Sequence, residues 1–273
     1  VPYAKKNEII LLSDLAYAEI YFDENEIPEE LKKRATFDHV KISTKLNPIS
    51  ALIQVFKNRS YHMSRFKQSA ILNKLQSIMG EKKIDLVFFE SLFCSAYSKE
   101  IKLQTSASQI LRAHNVEHLI WSKLATNTKN PLKKWYLNHV SKTLKTFETR
   151  FVKEVDFIFS IAQADQEFFK SLNHKSSYLP VSMDVSSARE IKSNSICFLG
   201  AYNWMPNKEA ILWFTNEVWP EIVLNNPATT LNIAGSFSEE ISELKNKDSI
   251  KLHGFVPSSE AFMKAYGLFV API

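Results

Sequence analysis

Short apolar runs alternate with amphipathic segments along the last third of the chain. SICFLG (195–200), TLNIAG (230–235), IKLHG (250–254) and GLFVAPI (267–273) are bounded by glycine or proline. Between them, NKEAILWFTNEVWPEIVLNN, SEEISELKNK and SSEAFMKAY carry apolar residues at helical spacing. Brief apolar runs alternating with helical segments predict a parallel sheet with crossover helices. Asn207, Ser238 and Ser258 or Ser259, each followed by acidic residues, mark the expected helix starts.

The earlier chain carries the same signals less regularly. NEIILLS (7–13) and ATFDHVKIS (35–43) have strand character, and residues 48–80 are mostly helical in pattern, with Lys57, Arg59, Arg65 and Lys67 on one side. IDLVFFE (84–90) and SQILRA (108–113) are nearly continuous apolar runs suited to buried parallel strands. NVEHLIWSKLA (115–125) follows as a helix. The longest helix is expected over 131–155, with Pro131 in its first turn and Trp135, Val140, Leu144, Phe147 and Phe151 sharing one side. DFIFSIA (156–162), a helix over 163–173 and SSYLP (176–180) come next. Only Lys5 and Lys6 separate VPYA from NEIILLS, which leaves no room for the crossover helix that parallel strands require.

A chain of 273 residues is long enough for two domains of roughly 100–200 residues each. Charge divides it in the same place as pattern does. Residues 1–180 carry 27 Lys and Arg against 19 Asp and Glu, whereas 181–273 carry 7 against 10. The polar, aperiodic VSMDVSSAREIKSN (181–194) lies between, so domains are expected over 1–183 and 184–273. No apolar run reaches the ~18 residues that span a bilayer, and no signal-like start is present, which favours the cytoplasm. Cys94 and Cys197 lie in or beside apolar runs and read as buried free thiols. From Lys123 to Lys153 there are eight basic residues and one acid, Glu148. Such a stretch is either a solvated helix face or a contact for an anionic inner-membrane surface; nucleic acid is not expected as a partner.

Two places could carry chemistry. His114-Asn115-Val116-Glu117-His118 has the H-x-x-E-H form of an inverted zinc-protease motif. A metal there needs both imidazoles on one helical face. His114 directly follows the apolar run 108–113, so it belongs in a strand-end loop, with His118 packing or capping the helix beyond. Ligands of open α/β sheets bind past the carboxyl ends of strands, which makes His114 a candidate site residue by placement alone. In the second domain, GAYNWMPN (200–207) joins a strand to a helix. Free amides at that helix start would suit a phosphate, and Lys208 could pair with it; the rival reading is a tight turn with Trp204 packed as core. Gly235 and Gly254 also end strands, so three loops would converge on one edge.

ICFLGAYNWMPNKEAILWFTNEVWPEI, LNIAGSF and KLHGFVPSSEAFMKAYGLFVAPI together resemble the start of the donor domain in glycosyltransferases of family 4, which have the GT-B fold. The G-x-x-x-W-x-P-N form resembles a subgroup seen with bacterial polysaccharide synthesis. IDLVFFES, LRAHNVEHLIW and the helix ending in FETRFVKEVDFIFSIAQAD are similar to that subgroup's acceptor domain. The resemblance implies two α/β Rossmann-like domains facing a cleft, the second incomplete here. It implies transfer of a sugar, with retention and without a required metal, from a nucleotide-sugar (UDP- or GDP-linked) to a saccharide or lipid-linked acceptor. The Gly200 loop, with Asn203, Trp204, Lys208 and Gly235, would face the donor, and Gly254, Phe255 and Val256 the nucleotide base. His114 would meet the transferred sugar. The family's acidic motif after the Pro272 run and its glycine-rich acceptor loop after Ala4 have no counterpart here, so residues are expected to be missing at both places. Alternatives are a nucleotide-sugar epimerase of the same fold and a catalytically silent scaffold.

Overall fold

A computed structural model describes residues 8–12, 32–33, 35–38, 40, 42, 47–181, 195–245 and 247–272. The chain divides into two compact units, Val1–Met183 and Asp184–Ile273.

Among its described residues, unit 1 has five parallel strands: β1 (Ile9–Leu12), β2 (Leu86–Phe89), β3 (Ser108–Ala113), β4 (Phe157–Ser160) and β5 (Ser176–Tyr178). They lie side by side in chain order. Burial alternates along the strands, as the pleat requires when one face is more deeply covered. Val87, Phe89, Leu111, Ala113 and Ile158 are almost fully enclosed, whereas the intervening Phe88, Ile110 and Phe159 are only partly so.

The helices are α1 (Pro48–Phe56), α2 (Tyr61–Phe66), α3 (Ser69–Glu81), α4 (Ser98–Gln104), α5 (Glu117–Asn127), α6 (Pro131–Glu154) and α7 (Gln163–Leu172). The helical stretch expected over 48–80 is thus three helices. Asn47 and Ser60 cap the first two through their side-chain oxygens. Asn130 caps α6 the same way, with Pro131 next to it. At the far end of α6, Asn173 donates to the Val152 and Val155 carbonyls at 2.8 and 2.9 Å. Val140, Leu144 and Phe151 of α6 are buried, but Trp135, expected on the same side, is 59% exposed. It sits in the first turns of the helix, beside the equally outward Leu132, and stacks on His139. None of the described residues in 35–43 is in a strand. The start of the chain through Asn7, which includes the Ala4–Lys5 junction, lies outside the described residues.

Among its described residues, unit 2 has four parallel strands, β6 (Ser195–Leu199), β7 (Thr230–Ala234), β8 (Ile250–Gly254) and β9 (Leu268–Phe269), in the order β8-β7-β6-β9. The chain starts in the middle, winds outward to β8, then returns to the other side of β6. That is the doubly wound order, and the direction reverses beside β6. Its helices are α8 (Met205–Trp213), α9 (Trp219–Asn225) and α10 (Ser259–Lys264). A single π-type turn, Phe214–Val218, joins α8 to α9. Pro220 has no N–H to give the preceding turn, which is a physical cause for the widened ladder there. SEEISEL forms a 3-10 turn, Ser238–Leu244, after Phe237 in the left-handed region, in place of the expected α-helix. Ile196, Phe198, Ile211, Leu231, Ile233 and Ile241 make the core of this unit. Cys94 and Cys197 are buried free thiols.

Candidate functional site

The carboxyl ends of β6, β7 and β8 are tied to one another by their backbones. Gly200 N–H donates to the Ala234 carbonyl at 3.1 Å, and Gly235 N–H to the Gly254 carbonyl at 2.8 Å. Tyr202 N–H reaches the Ser236 carbonyl at 3.1 Å. The closest approach is between Gly235 (φ 141°) and the Gly200 carbonyl oxygen, which would lie 1.7 Å from any Cβ at Gly235. Only glycine permits that contact.

Tyr202 anchors the loop from beneath. Its ring is 1% exposed against Phe198, and its hydroxyl donates to the Ala234 carbonyl at 2.7 Å. Burial pushes the phenol pKa far up, so it is a permanent donor. Above these tied ends is a depression of about 350 Å³ lined by Leu199, Gly200, Ala201, Gly235, Ser236, Phe255, Val256 and Ser259. It lies next to the strand-order reversal, where doubly wound sheets bind ligands.

The helix start differs from the expectation. α8 begins at Met205, with Trp204 in the capping position and Pro206 in its first turn. Pro206 has no N–H, and the Asn207 N–H is already bonded to the Trp204 carbonyl at 3.1 Å. The Asn207 side chain folds back to donate to the Ala201 carbonyl at 3.1 Å. The helix end therefore offers fewer amides than a start at Asn207 would. Trp204 is 45% exposed and not core; Tyr202 fills that role. Lys208 holds Glu240 at 2.8 Å, and this carboxylate raises its pKa. Of the donor-side candidates, Gly200, Gly235, Phe255 and Val256 line the depression, and Gly254 holds Gly235 through its carbonyl. Asn203, Trp204 and Lys208 are not among its lining residues.

In unit 1, His114 follows the last residue of β3. The pleat places Arg112 and His114 on the same face. One step beyond the Phe89–Leu111 pair, Glu90 stands across from Arg112. Glu90 continues the ladder from β2, donating its N–H to the Leu12 carbonyl at 2.8 Å. One oxygen of its carboxylate, Oε1, takes both a hydrogen bond from Arg112 Nη1 and one shared with His114 Nε2 at 3.2 Å. Glu90 and Arg112 are each about one-fifth exposed and His114 39%. Glu90 and Arg112 escaped the sequence reading, although charged residues at the carboxyl ends of two apolar runs were a visible signal.

His118 has a different partner. Its Nδ1 lies 2.6 Å from Glu148 Oε2, and both groups are buried. Glu148 Oε1 accepts the Glu117 N–H at 2.9 Å, and Oε2 accepts the His118 N–H at 3.3 Å. A carboxylate from α6 thus caps the start of α5. The H-x-x-E-H residues are split between two unrelated carboxylates, and no group of three or more His, Cys, Asp or Glu able to hold a metal occurs among the described residues.

Residues 193–273 match the family model described as glycosyl transferases group 1. An uncharacterized 44.6 kDa protein in the cps region of Klebsiella pneumoniae is 25% identical over 180 residues, which are 65% of this chain and 46% of that protein. Among solved structures, S. aureus TarM in complex with fondaparinux, alpha-GlcNAc-glycerol and UDP superposes with a TM-score of 0.50 at 9% identity, over 75% of this chain and 39% of TarM. Sucrose-phosphate synthase of Thermosynechococcus elongatus gives 0.50 at 9% identity, over 72% of this chain and 51% of the synthase. At these identities the likeness is one of fold: a parallel-sheet α/β, Rossmann-like architecture shared with GT-B glycosyltransferases. The chain spans about half the length of these proteins, or less.

Proposed function

We propose that the protein is a retaining glycosyltransferase that moves a sugar from a nucleotide-sugar to a saccharide or lipid-linked acceptor in surface polysaccharide synthesis. The observation that carries this reading is the convergence of the Gly200, Gly235 and Phe255–Val256 backbones on one depression beside the strand-order reversal. The match of the same residues to the group 1 model supports it, and the cps-region relative favours the polysaccharide setting.

In the proposed reaction, the bond between the anomeric carbon and the donor diphosphate breaks. An acceptor hydroxyl forms the new bond on the same face of the sugar and passes its proton to the departing diphosphate oxygen. Of the Gly200 loop, the Ala201 and Asn203 amides, which are not committed to the bonds that tie Gly200, Tyr202 and Trp204, stabilise the departing diphosphate where a metal would otherwise serve. Lys208, in the first turn of α8, exchanges its Glu240 partner for phosphate. The Phe255–Val256 turn receives the nucleotide base, and His114 meets the transferred sugar.

A peripheral place on the inner face of the plasma membrane accords with the start of α6. There Leu132 (78% exposed) and Trp135 stand among Lys129, Lys133 and Lys134, an amphipathic tip suited to an anionic surface. No helix of the described residues is long and apolar enough to cross a membrane.

The test is a thermal-shift screen of the full-length protein against UDP-, GDP-, ADP- and dTDP-sugars, followed by product analysis with the stabilising donor. A ligand at 100 times its Kd stabilises by about 2.7 kcal/mol, which a melting curve resolves. A new glycosidic product with retained anomeric configuration supports the proposal. Isomerised or hydrolysed donor without acceptor points to an epimerase, and no shift with any donor overturns the enzymatic reading.

A further inference from the structure

We propose that Glu90 is a positioning residue that fixes the tautomer and orientation of the His114 ring. The inference rests on the glycosyl-transfer reading for its catalytic consequence, but not for its structural part. An imidazole nitrogen that faces a carboxylate carries the proton, so the Glu90 contact puts hydrogen on Nε2 and leaves Nδ1 as the free lone pair. Among the described residues Nδ1 has no partner, and the ring is the most exposed member of the cluster. It therefore presents an acceptor to a hydroxyl of a bound sugar.

Arg112 makes this arrangement rigid. Its Nη1 bonds to the same Oε1 that His114 uses, so the oxygen is held from two sides. All three residues sit at the carboxyl ends of adjacent parallel strands, where the ladder fixes their backbones: Glu90 N–H is bonded to Leu12 and Ile161 N–H to Ala113. Arg112 Nε is buried and finds no hydrogen-bond partner among the described residues. The guanidinium is thus held on its Glu90 side alone, so loss of the carboxylate frees both cation and ring. A surface ion pair would not need placing in this way.

The experiment compares Glu90→Ala, which removes the oxygen, with Glu90→Gln, which keeps one, in the full-length protein and in a His114→Ala background. Long-range proton–nitrogen NMR of the ring should show a protonated Nε2 and an unprotonated Nδ1 in the wild type. Glu90→Ala should give an averaged tautomer signature, and Glu90→Gln should restore the wild-type one. With the donor found above, Glu90→Ala should lower kcat about 100-fold, the scale of a misplaced reacting group, with donor KM unchanged and most of the rate recovered in Glu90→Gln. Once His114 is alanine, Glu90→Ala should cost nothing more, because it acts through the ring. Wild-type nitrogen shifts in Glu90→Ala, or a kcat loss that persists in the His114→Ala background, would overturn the proposal. Circular dichroism checks that each variant folds, and Glu90→Gln serves if Glu90→Ala does not. If no donor is turned over even by the wild type, the enzymatic reading fails separately, and the ring nitrogens alone decide whether Glu90 sets His114.

Discussion

Replacing Gly235 with alanine should damage unit 2 severely. The added carbon would stand 1.7 Å from the Gly200 carbonyl oxygen, inside the 3.0 Å that real contacts essentially never breach. The obstacle is backbone on both sides, so no side chain can swing away, and the two loops must part by more than an ångström. That movement strains the bonds of Gly200 to Ala234, Gly235 to Gly254 and Tyr202 to Ser236, each worth about 1 kcal/mol. The φ of 141° adds roughly 1–3 kcal/mol for a residue with a Cβ. Together the loss is about 4–6 kcal/mol, at or beyond the upper end for single substitutions. Urea denaturation followed by hydrogen exchange separates the two units, and only peptides from 195–272 should open at lower urea. Gly80→Ala is the control. Nothing lies within 4 Å of a Cβ there, and an alanine inside α3 should stabilise unit 1 by about 0.5–1 kcal/mol. A Gly235→Ala protein within about 1 kcal/mol of the wild type would refute the tight approach on which the donor-side geometry rests.

Glu148→Ala should cost about 3–5 kcal/mol, because it strips a buried acceptor from two amides and an imidazole at once; a melting-temperature change of a few degrees or less would disprove the cap. His62 predicts an acid-side loss of stability. Burial, and then Arg65, lower its pKa from 6.5 to about 4, so the unfolded chain binds the proton more readily than the folded one. Stability is full above pH 6.5 and falls as pH drops toward 4, by up to about 3 kcal/mol. His62→Phe, keeping the ring against Trp121, should flatten that slope, and an unchanged slope would exclude His62 as its source. For the α6 tip, anionic vesicles should pellet the protein at low salt and release it at high salt. Lys133→Glu with Lys134→Glu should weaken binding by more than tenfold, at about 1 kcal/mol per lysine; equal binding to zwitterionic vesicles would sink the membrane contact.

The elements were legible where one force decided them. SQILRA and IKLHG became strands with the expected ends because apolar runs of that length, cut off by loops, have few other ways to be buried. The start of α8 was harder to read. Asn207 is a good capping residue, but its amide found the Ala201 carbonyl, and Pro206 imposed a helical φ one residue before it. Trp204 and Tyr202 could not be ranked from their spacing, since which aromatic turns inward depends on the path of a loop with no periodicity. Strand order was also beyond the pattern. The βα alternation fits both the sequential sheet of unit 1 and the doubly wound one of unit 2.

Charge inside apolar runs was the signal with the most unused content. Glu148 is the single acid in a basic stretch, and it is the residue there that goes inside, because the start of α5 supplies the amides and imidazole it needs. Glu90 and Arg112 obey the same rule one level up. Ending two apolar runs with opposite charges has a desolvation cost, and their register repays it by bringing the charges together on one oxygen. A stability device could stop at that pair. Here the same oxygen reaches a third group, His114, which leaves one nitrogen free at the end of its strand. The arrangement therefore constrains a ring that contributes little to packing, which is the reason to look for its purpose in a ligand.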